Sequence, residues 1–261
     1  MHKIAFYIGS YPVAWFGIFI AIAFVLGLWT ASRRAIRDGL SPESIMDVGP
    51  WLIIGTIVGA RLWYVVTYWN ESFAGKPWTE IFMVQHGGIV FYGGLVGATA
   101  ATLIYLRRKR LPIWKFGDAL APSIALGYVF GRMGCLMNGC CYGRACDLPW
   151  AIHFPPDHEG THGMGVHPTQ IYDAVLSAAL YGGLAWLYRH KRFDGQVFAT
   201  YLVCYAVTRS VVELFRGDYP ESHIHAGFFT PAQLVSVAIL AAGVILLLKL
   251  PRNISGQKLP A

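Results

Sequence analysis

Charged side chains are scarce in this chain: Asp, Glu, Lys and Arg together make up 13% of its 261 residues, against roughly 25% in a soluble domain. With 55% of the residues hydrophobic, that deficit excludes an ordinary soluble enzyme and argues for a chain that lives mostly in lipid. Acid is scarcer than base, 14 residues against 21, for a formal net charge of +7. Internal repeats and low-complexity tracts are lacking. So is a small-residue cleavage site after the first apolar run, which therefore reads as a membrane span rather than a removable signal. The apolar stretches leave little chain for a separate soluble module, so residues 1–261 are expected to form a single transmembrane domain.

What is present is a series of runs of about 20 apolar residues, the length needed to cross the hydrocarbon core as a helix. Seven fit: 12–31, 46–69, 87–106, 116–137, 168–188, 196–215 and 227–248. The runs are long and continuously apolar, which favours helices over the short alternating strands of a barrel. The fold class expected is an all-α, polytopic membrane protein with seven transmembrane helices.

The basic residues orient it. Arg33, Arg34 and Arg37 follow the first run, Arg107, Arg108, Lys109 and Arg110 the third, Arg189, Lys191 and Arg192 the fifth, and Lys249 and Arg252 the seventh. All four clusters fall on one side. The positive-inside rule then puts the N-terminus outside and the C-terminus in the cytoplasm, with the loop 138–167 on the periplasmic side. Clusters beside membrane ends need no other partner than membrane lipids, so no nucleic-acid binding is expected. Ser41-Pro42-Glu43 has the look of a helix start, and 32–45 is expected to hold a short interfacial helix.

Three arginines lie inside the runs. A charge at membrane depth is costly and normally faces a partner or a watery cavity. Arg61 follows Gly59-Ala60, Arg132 follows Gly131, and Arg209 stands four residues before Glu213, a spacing that puts both on one helix face. Structural ion pairs are the plain reading of such residues. The planar guanidinium fork also suits a phosphate, and the placement of all three toward the long outer loop favours an anionic headgroup site. Gly87-Gly88, Gly93-Gly94 and the series Gly131, Gly134, Gly139, Gly143 point to the same region. Such residues serve close helix approach, or irregular chain lining a cavity.

Four of the five cysteines, Cys135, Cys140, Cys141 and Cys146, fall within twelve residues. The loop beyond them carries His153, His158, His162 and His167, with Asp157 and Glu159 among them. Cysteine and histidine are the usual zinc ligands, but Cys-x4-Cys-Cys-x4-Cys matches none of the common Cys-x2-Cys patterns. The expectation is no metal, with a disulfide from Cys140 or Cys141 to Cys146 as the competing use of these thiols.

With these motifs in view, the chain resembles the prolipoprotein diacylglyceryl transferases, bacterial inner-membrane enzymes of lipoprotein maturation. The likeness rests on five ordered blocks: Gly59-Ala60-Arg61; Gly87-Gly88-Ile89-Val90-Phe91-Tyr92-Gly93-Gly94-Leu95; the signature from Gly131-Arg132 through Asn138-Gly139-Cys140-Cys141-Tyr142-Gly143-Arg144; His167-Pro168-Thr169-Gln170-Ile171-Tyr172; and Arg209 through Glu213 to Arg216. The resemblance implies seven spans with the N-terminus outside. It implies transfer of the diacylglyceryl group of phosphatidylglycerol to the lipobox cysteine of a preprolipoprotein, giving a thioether and glycerol 1-phosphate without metal or other cofactor.

By the same resemblance Arg132 and Arg209 hold the phosphate and Glu213 orients Arg209. Gly143 lets the signature loop close on the headgroup, Asn138 and Gln170 supply neutral hydrogen bonds, and Arg61 and Arg144 complete the phospholipid contacts. The chain departs from the family pattern at four places: Phe16 replaces a tyrosine, Tyr92 a histidine, Cys135 an asparagine and Cys140 a glutamate. Tyr92, Cys135 and Cys140 are therefore candidate catalytic groups of altered chemistry. Two other readings stay open: a paralogue that transfers a lipid group to another acceptor, with the cysteines as a covalent relay, and a non-catalytic lipid-binding or redox protein.

Overall fold

A computed structural model describes residues 3–83, 87–158, 160–217 and 231–250. Seven α-helices of 18 residues or more dominate them: α1 (Trp15–Ala35), α2 (Pro42–Thr67), α3 (Phe91–Arg108), α4 (Ile113–Asn138), α5 (Thr169–His190), α6 (Gln196–Glu213) and α7 (Pro231–Lys249). Among the described residues four helical segments, Trp15–Asp38, Pro42–Thr67, Ile113–Asn138 and Ala232–Lys249, are long and apolar enough to cross a membrane by length and composition. Glu159, Arg252, residues 84–86 of the expected outer segment and 218–230, which include the start of the seventh run, lie outside the described residues.

The class is mostly rather than wholly helical. β1 (Ile4–Ile8) and β2 (Tyr11–Ala14) form an antiparallel hairpin, turned at Gly9 with φ +61°. It takes the first residues of the run at 12–31 out of the helix. β3 (Ile152–His153) pairs with β4 (Gly165–Val166) inside the long loop. The separate interfacial helix expected over 32–45 is replaced by something simpler. A single 3-10 turn, Ile36–Asp38, ends at Gly39 in the left-handed region, and α2 starts directly at Pro42. Ser41 is its N-cap, its side chain accepting from Ser44 N–H at 3.2 Å, and proline at the first helical position needs no partner for a missing N–H.

The chain divides into two compact units, Ser32–Phe116 and Met1–Ala31 with Gly117–Ala261. In the first, α2 and α3 meet along glycines spaced four apart on each helix, Gly55 and Gly59 against Gly93 and Gly97. A Cβ on Gly59 would lie 2.7 Å from Gly97 Cα, and one on Gly55 2.6 Å from Gly97 O. Only glycine allows that approach, the small-residue packing available to helices in lipid. Beside this seam lies an apolar cavity of about 790 Å³, lined by residues such as Ile54, Val58 and Leu62 of α2 and Val96 and Ile104 of α3.

In the second unit, Asp118 near the start of α4 is fully buried and accepts three bonds. They come from Lys191 Nζ at 3.0 Å, Gly195 N–H at 2.9 Å and Phe198 N–H at 3.0 Å. A buried carboxylate is tolerated when so satisfied, and this one fastens the α5–α6 connection and the first turn of α6 to α4. Toward the other end of α4, Gly134 faces Phe16 and Phe19 of α1, where a Cβ would sit 3.1 to 3.4 Å from their atoms.

Candidate active site at the end of α4

The last two turns of α4, the loop after it, the first turn of α5 and the last turn of α6 converge in the second unit. Arg132 is buried, and its Nη2 lies 2.9 Å from Asp173 Oδ2 of α5. Nη2 also donates to the hydroxyl of Tyr128, one turn earlier on α4, and the guanidinium stacks over that ring with 4.8 Å to its centroid. Arg132 Nε is buried and has no partner among the described residues. On α6, Arg209 and Glu213 are both buried and ion-paired, Nη1 to Oε2 at 2.5 Å, the contact that their four-residue spacing predicts. Asp173 lies within electrostatic reach of Arg209, Arg216 and Glu213 as well as Arg132. Tyr205 of α6 packs edge-on against Tyr128, centroids 5.8 Å apart.

The loop that follows α4 is drawn over this cluster by main-chain bonds. Gln170, wholly buried, donates from Nε2 to Cys140 O at 2.7 Å, and Thr169 Oγ1 donates to Cys141 O at 2.7 Å. The second polar atom of Gln170, Oε1, is buried and has no partner among the described residues. Asn138 ends the helix and points Nδ2 at Cys140 Sγ, 3.6 Å away. The thiols of Cys135 and Cys141 and the Asn138 amide, all directed at Cys140, hold its thiol well below the ordinary cysteine value, because donors favour the anion.

Gly143 explains why this loop is glycine-rich. Its N–H donates to His167 O at 2.9 Å and the next N–H, of Arg144, to Phe215 O at 2.8 Å. Three chain segments thus meet at one point. A Cβ on Gly143 would lie 2.5 Å from His167 Cβ and 2.6 Å from Phe215 O. Arg144 is exposed and its Nε donates to Arg216 O at 3.1 Å.

A family model for prolipoprotein diacylglyceryl transferase matches residues 3–249. The chain belongs to that family. Among curated relatives, the phosphatidylglycerol–prolipoprotein diacylglyceryl transferase of Synechococcus elongatus is 36% identical over 247 residues, covering 91% of this chain and 83% of that protein. The protein of that name from Finegoldia magna is 33% identical, covering 97% of this chain and 98% of its own length. The one from Nitratidesulfovibrio vulgaris is 34% identical, with 94% and 92% covered.

Of the residues that the diacylglyceryl transferase resemblance singles out, the structure gathers Arg132, Cys135, Asn138, Cys140, Gly143, Arg144, Gln170, Arg209 and Glu213 in the second unit. Arg61 and Tyr92 belong to the first. There Arg61 donates from Nε to Ile81 O at 2.8 Å, from Nη1 to Gly87 O at 2.6 Å and Gly88 O at 3.0 Å, and from Nη2 to Glu80 O at 2.7 Å. Four of the five N–H groups of its fork are thus spent on loop carbonyls, and its face lies over Tyr64 and Phe73. The buried arginine expected to face a headgroup ties the carbonyls of residues 80 and 81 to those of 87 and 88. Tyr92 sits on the first turn of α3, 40% exposed, against Phe91.

Two participants escape the sequence reading, and a third is read there only as a candidate zinc ligand. Asp173 and Tyr128 surround Arg132; an acid four residues after Thr169 on an apolar helix, and a tyrosine four residues before a buried arginine, are the signals that could have found them. His158 is the third: its Nε2 donates to Gly139 O at 2.7 Å while Nδ1 accepts from Thr161 Oγ1 at 3.2 Å. That histidine braces the loop. The disulfide weighed for Cys146 is replaced by free thiols at all five cysteines, because Cys146 N–H pairs with Gly165 O at 2.9 Å and the residue is held beside β4.

Proposed function

We propose that this protein transfers the diacylglyceryl group of phosphatidylglycerol to the lipobox cysteine of preprolipoproteins, working as a seven-span protein of the bacterial inner membrane with its N-terminus outside and its C-terminus in the cytoplasm. The lipobox sulfur, as thiolate, attacks the glyceryl carbon that bears the phosphate. A C–S bond forms, the C–O bond breaks with its electron pair passing to oxygen, and glycerol 1-phosphate leaves. The thiol proton is lost before or during attack.

Negative charge therefore builds on the phosphate as the bond breaks, and donors fixed in a dry site stabilise it most. Arg132 supplies such a donor: its Nη2 is anchored by Asp173 and Tyr128 while Nε is buried without a partner among the described residues. That orphaned donor on a prepositioned cation is the observation that carries the proposal. Arg209, oriented by Glu213, adds the second positive charge, and Gln170 Oε1 offers an acceptor for a glycerol hydroxyl. Asn138 and the Gly143 turn shape the loop above them.

The test is direct. Purified protein is incubated with phosphatidylglycerol and a lipobox peptide, and the peptide is weighed by mass spectrometry. A diacylglyceryl adduct that disappears with Arg132→Ala and Arg209→Ala, both folded, is the expected result. No adduct from folded parent protein, or an undiminished one from Arg132→Ala, overturns the reading. An adduct made only when Cys140 or Cys141 is present would favour a covalent relay instead.

A further inference from the structure

The Sγ atoms of Cys135, Cys140 and Cys141 all lie within 4.8 Å of one another. Their sequence spacing resembles no common metal motif, and the way α4 ends explains why it works nonetheless. Gly139 N–H donates to Leu136 O at 3.2 Å and Cys140 N–H donates to Cys135 O at 3.1 Å, with Gly139 at φ +74°. This is a Schellman closure, in which the residue two past the cap folds back on the last full turn and the two side chains touch. That contact is usually apolar; here both partners are cysteines. A four-residue gap that would separate two ligands on a strand brings them together at a helix end.

The third thiol is placed by an unusual backbone. Cys141 has φ +64°, the left-handed region that residues with side chains seldom occupy, and its Sγ lies 3.7 Å from Cys140 Sγ. The bonds from Gln170, Thr169 and His158 to the carbonyls of Cys140, Cys141 and Gly139 hold this conformation. A disulfide would use two of the sulfurs and give the third, with its left-handed backbone, no task. Three sulfurs bound to one ion at about 2.3 Å in tetrahedral directions stand roughly 3.8 Å apart, close to the 3.7 Å between Cys140 and Cys141 and within reach of the 4.8 Å that bounds all three.

We propose that Cys135, Cys140 and Cys141 form a three-thiolate site for a thiophilic d10 cation, zinc or cuprous copper. On binding, three S–metal bonds form and the thiol protons pass to solvent. Zinc completes its tetrahedron with a fourth ligand from solvent, whereas cuprous copper is satisfied by the three sulfurs. The ion cross-links the last full turn of α4 to the loop after it, three residues beyond Arg132. This site is independent of the transferase reading, and either can fail without the other.

The full-length protein in detergent, reduced with a phosphine that is then removed, is titrated with Cd²⁺ as the optical probe, and Zn²⁺ and Cu⁺ are then competed against it. The expected result is one ion per chain with thiolate-to-metal absorption, weakened about tenfold or more by Cys135→Ser, Cys140→Ser or Cys141→Ser and unchanged by Cys146→Ser. Competition ranks the two natural ions. Alkylation of the parent protein, mapped by mass spectrometry, needs no variant: Zn²⁺ should shield the three cysteines and leave Cys146 reactive. Absence of thiolate–metal absorption overturns the proposal, as does binding that survives Cys140→Ser in full. A Cys135–Cys140 disulfide in the isolated protein, with no ion bound after its reduction, also overturns it.

Discussion

The Arg132 guanidinium reaches across from α4 to the Asp173 carboxylate on α5, Nη2 to Oδ2 at 2.9 Å, with both side chains at least nine-tenths buried. The pair fixes the rotation of the fork and so the direction in which Nε points. Arg132→Lys keeps the charge and loses the fork. The expected consequence is a fall of about 10²- to 10³-fold in adduct formation, the cost of one misplaced donor at a developing anion. Asp173→Asn leaves the buried arginine uncompensated and should lower stability by about 3–5 kcal/mol, read as a shift in thermal unfolding in detergent, with a smaller effect on turnover by the molecules that remain folded.

Gly143→Ala inserts a methyl group where His167 Cβ and the Phe215 carbonyl already stand 2.5 and 2.6 Å away. Neither main chain can yield without opening the bonds from Gly143 to His167 and from Arg144 to Phe215. Overpacking of this kind costs about 1–3 kcal/mol. Activity should fall tenfold or more, by analogy with about hundredfold losses from small displacements of reacting groups, while helix content by circular dichroism stays the same.

Asp118→Ala removes the acceptor shared by Lys191, Gly195 and Phe198. The Lys191 ammonium loses its buried carboxylate, although Asp194 stays at 3.5 Å, and two N–H groups lose their acceptor, a loss of about 3–5 kcal/mol. Asp118 precedes Arg132 by 14 residues on one helix, about 21 Å at 1.5 Å per residue. The yield of folded protein and its unfolding temperature should fall, while activity per folded molecule stays near that of the parent.

Arg61→Ala removes the side-chain donor that the carbonyls of Glu80, Ile81, Gly87 and Gly88 share. Limited chymotrypsin digestion should then cut faster after Trp78 and Phe82, both exposed. Arg61→Lys should not restore protection, because a single ammonium cannot span the four acceptors. Unchanged digestion of Arg61→Ala would show that Arg61 does not hold this loop.

The long helices were legible because apolar runs of membrane length and basic clusters are strong signals, and the Arg209–Glu213 pair followed from a four-residue spacing. Ser41 was readable as a cap for the same local reason. What lay hidden depended on contacts between distant segments. Arg61 carries the same buried-arginine signal as Arg132, yet its partners are carbonyls of a loop some 20 residues on, which no periodicity reveals. Asp173 acquires its meaning only beside Arg132. The Cys135–Cys140 approach needs the left-handed turn at Gly139, and a spacing rule drawn from other metal sites looks past it.

The glycine seam between α2 and α3 has a mechanical outcome. With main chain against main chain at Gly59 and Gly97, no acyl tail can wedge between the two helices, and they can neither slide nor rotate past each other without collision. They are obliged to travel through the bilayer as one stiff rod. The apolar hollow along its flank keeps its shape during any such movement, since both of its walls are carried together.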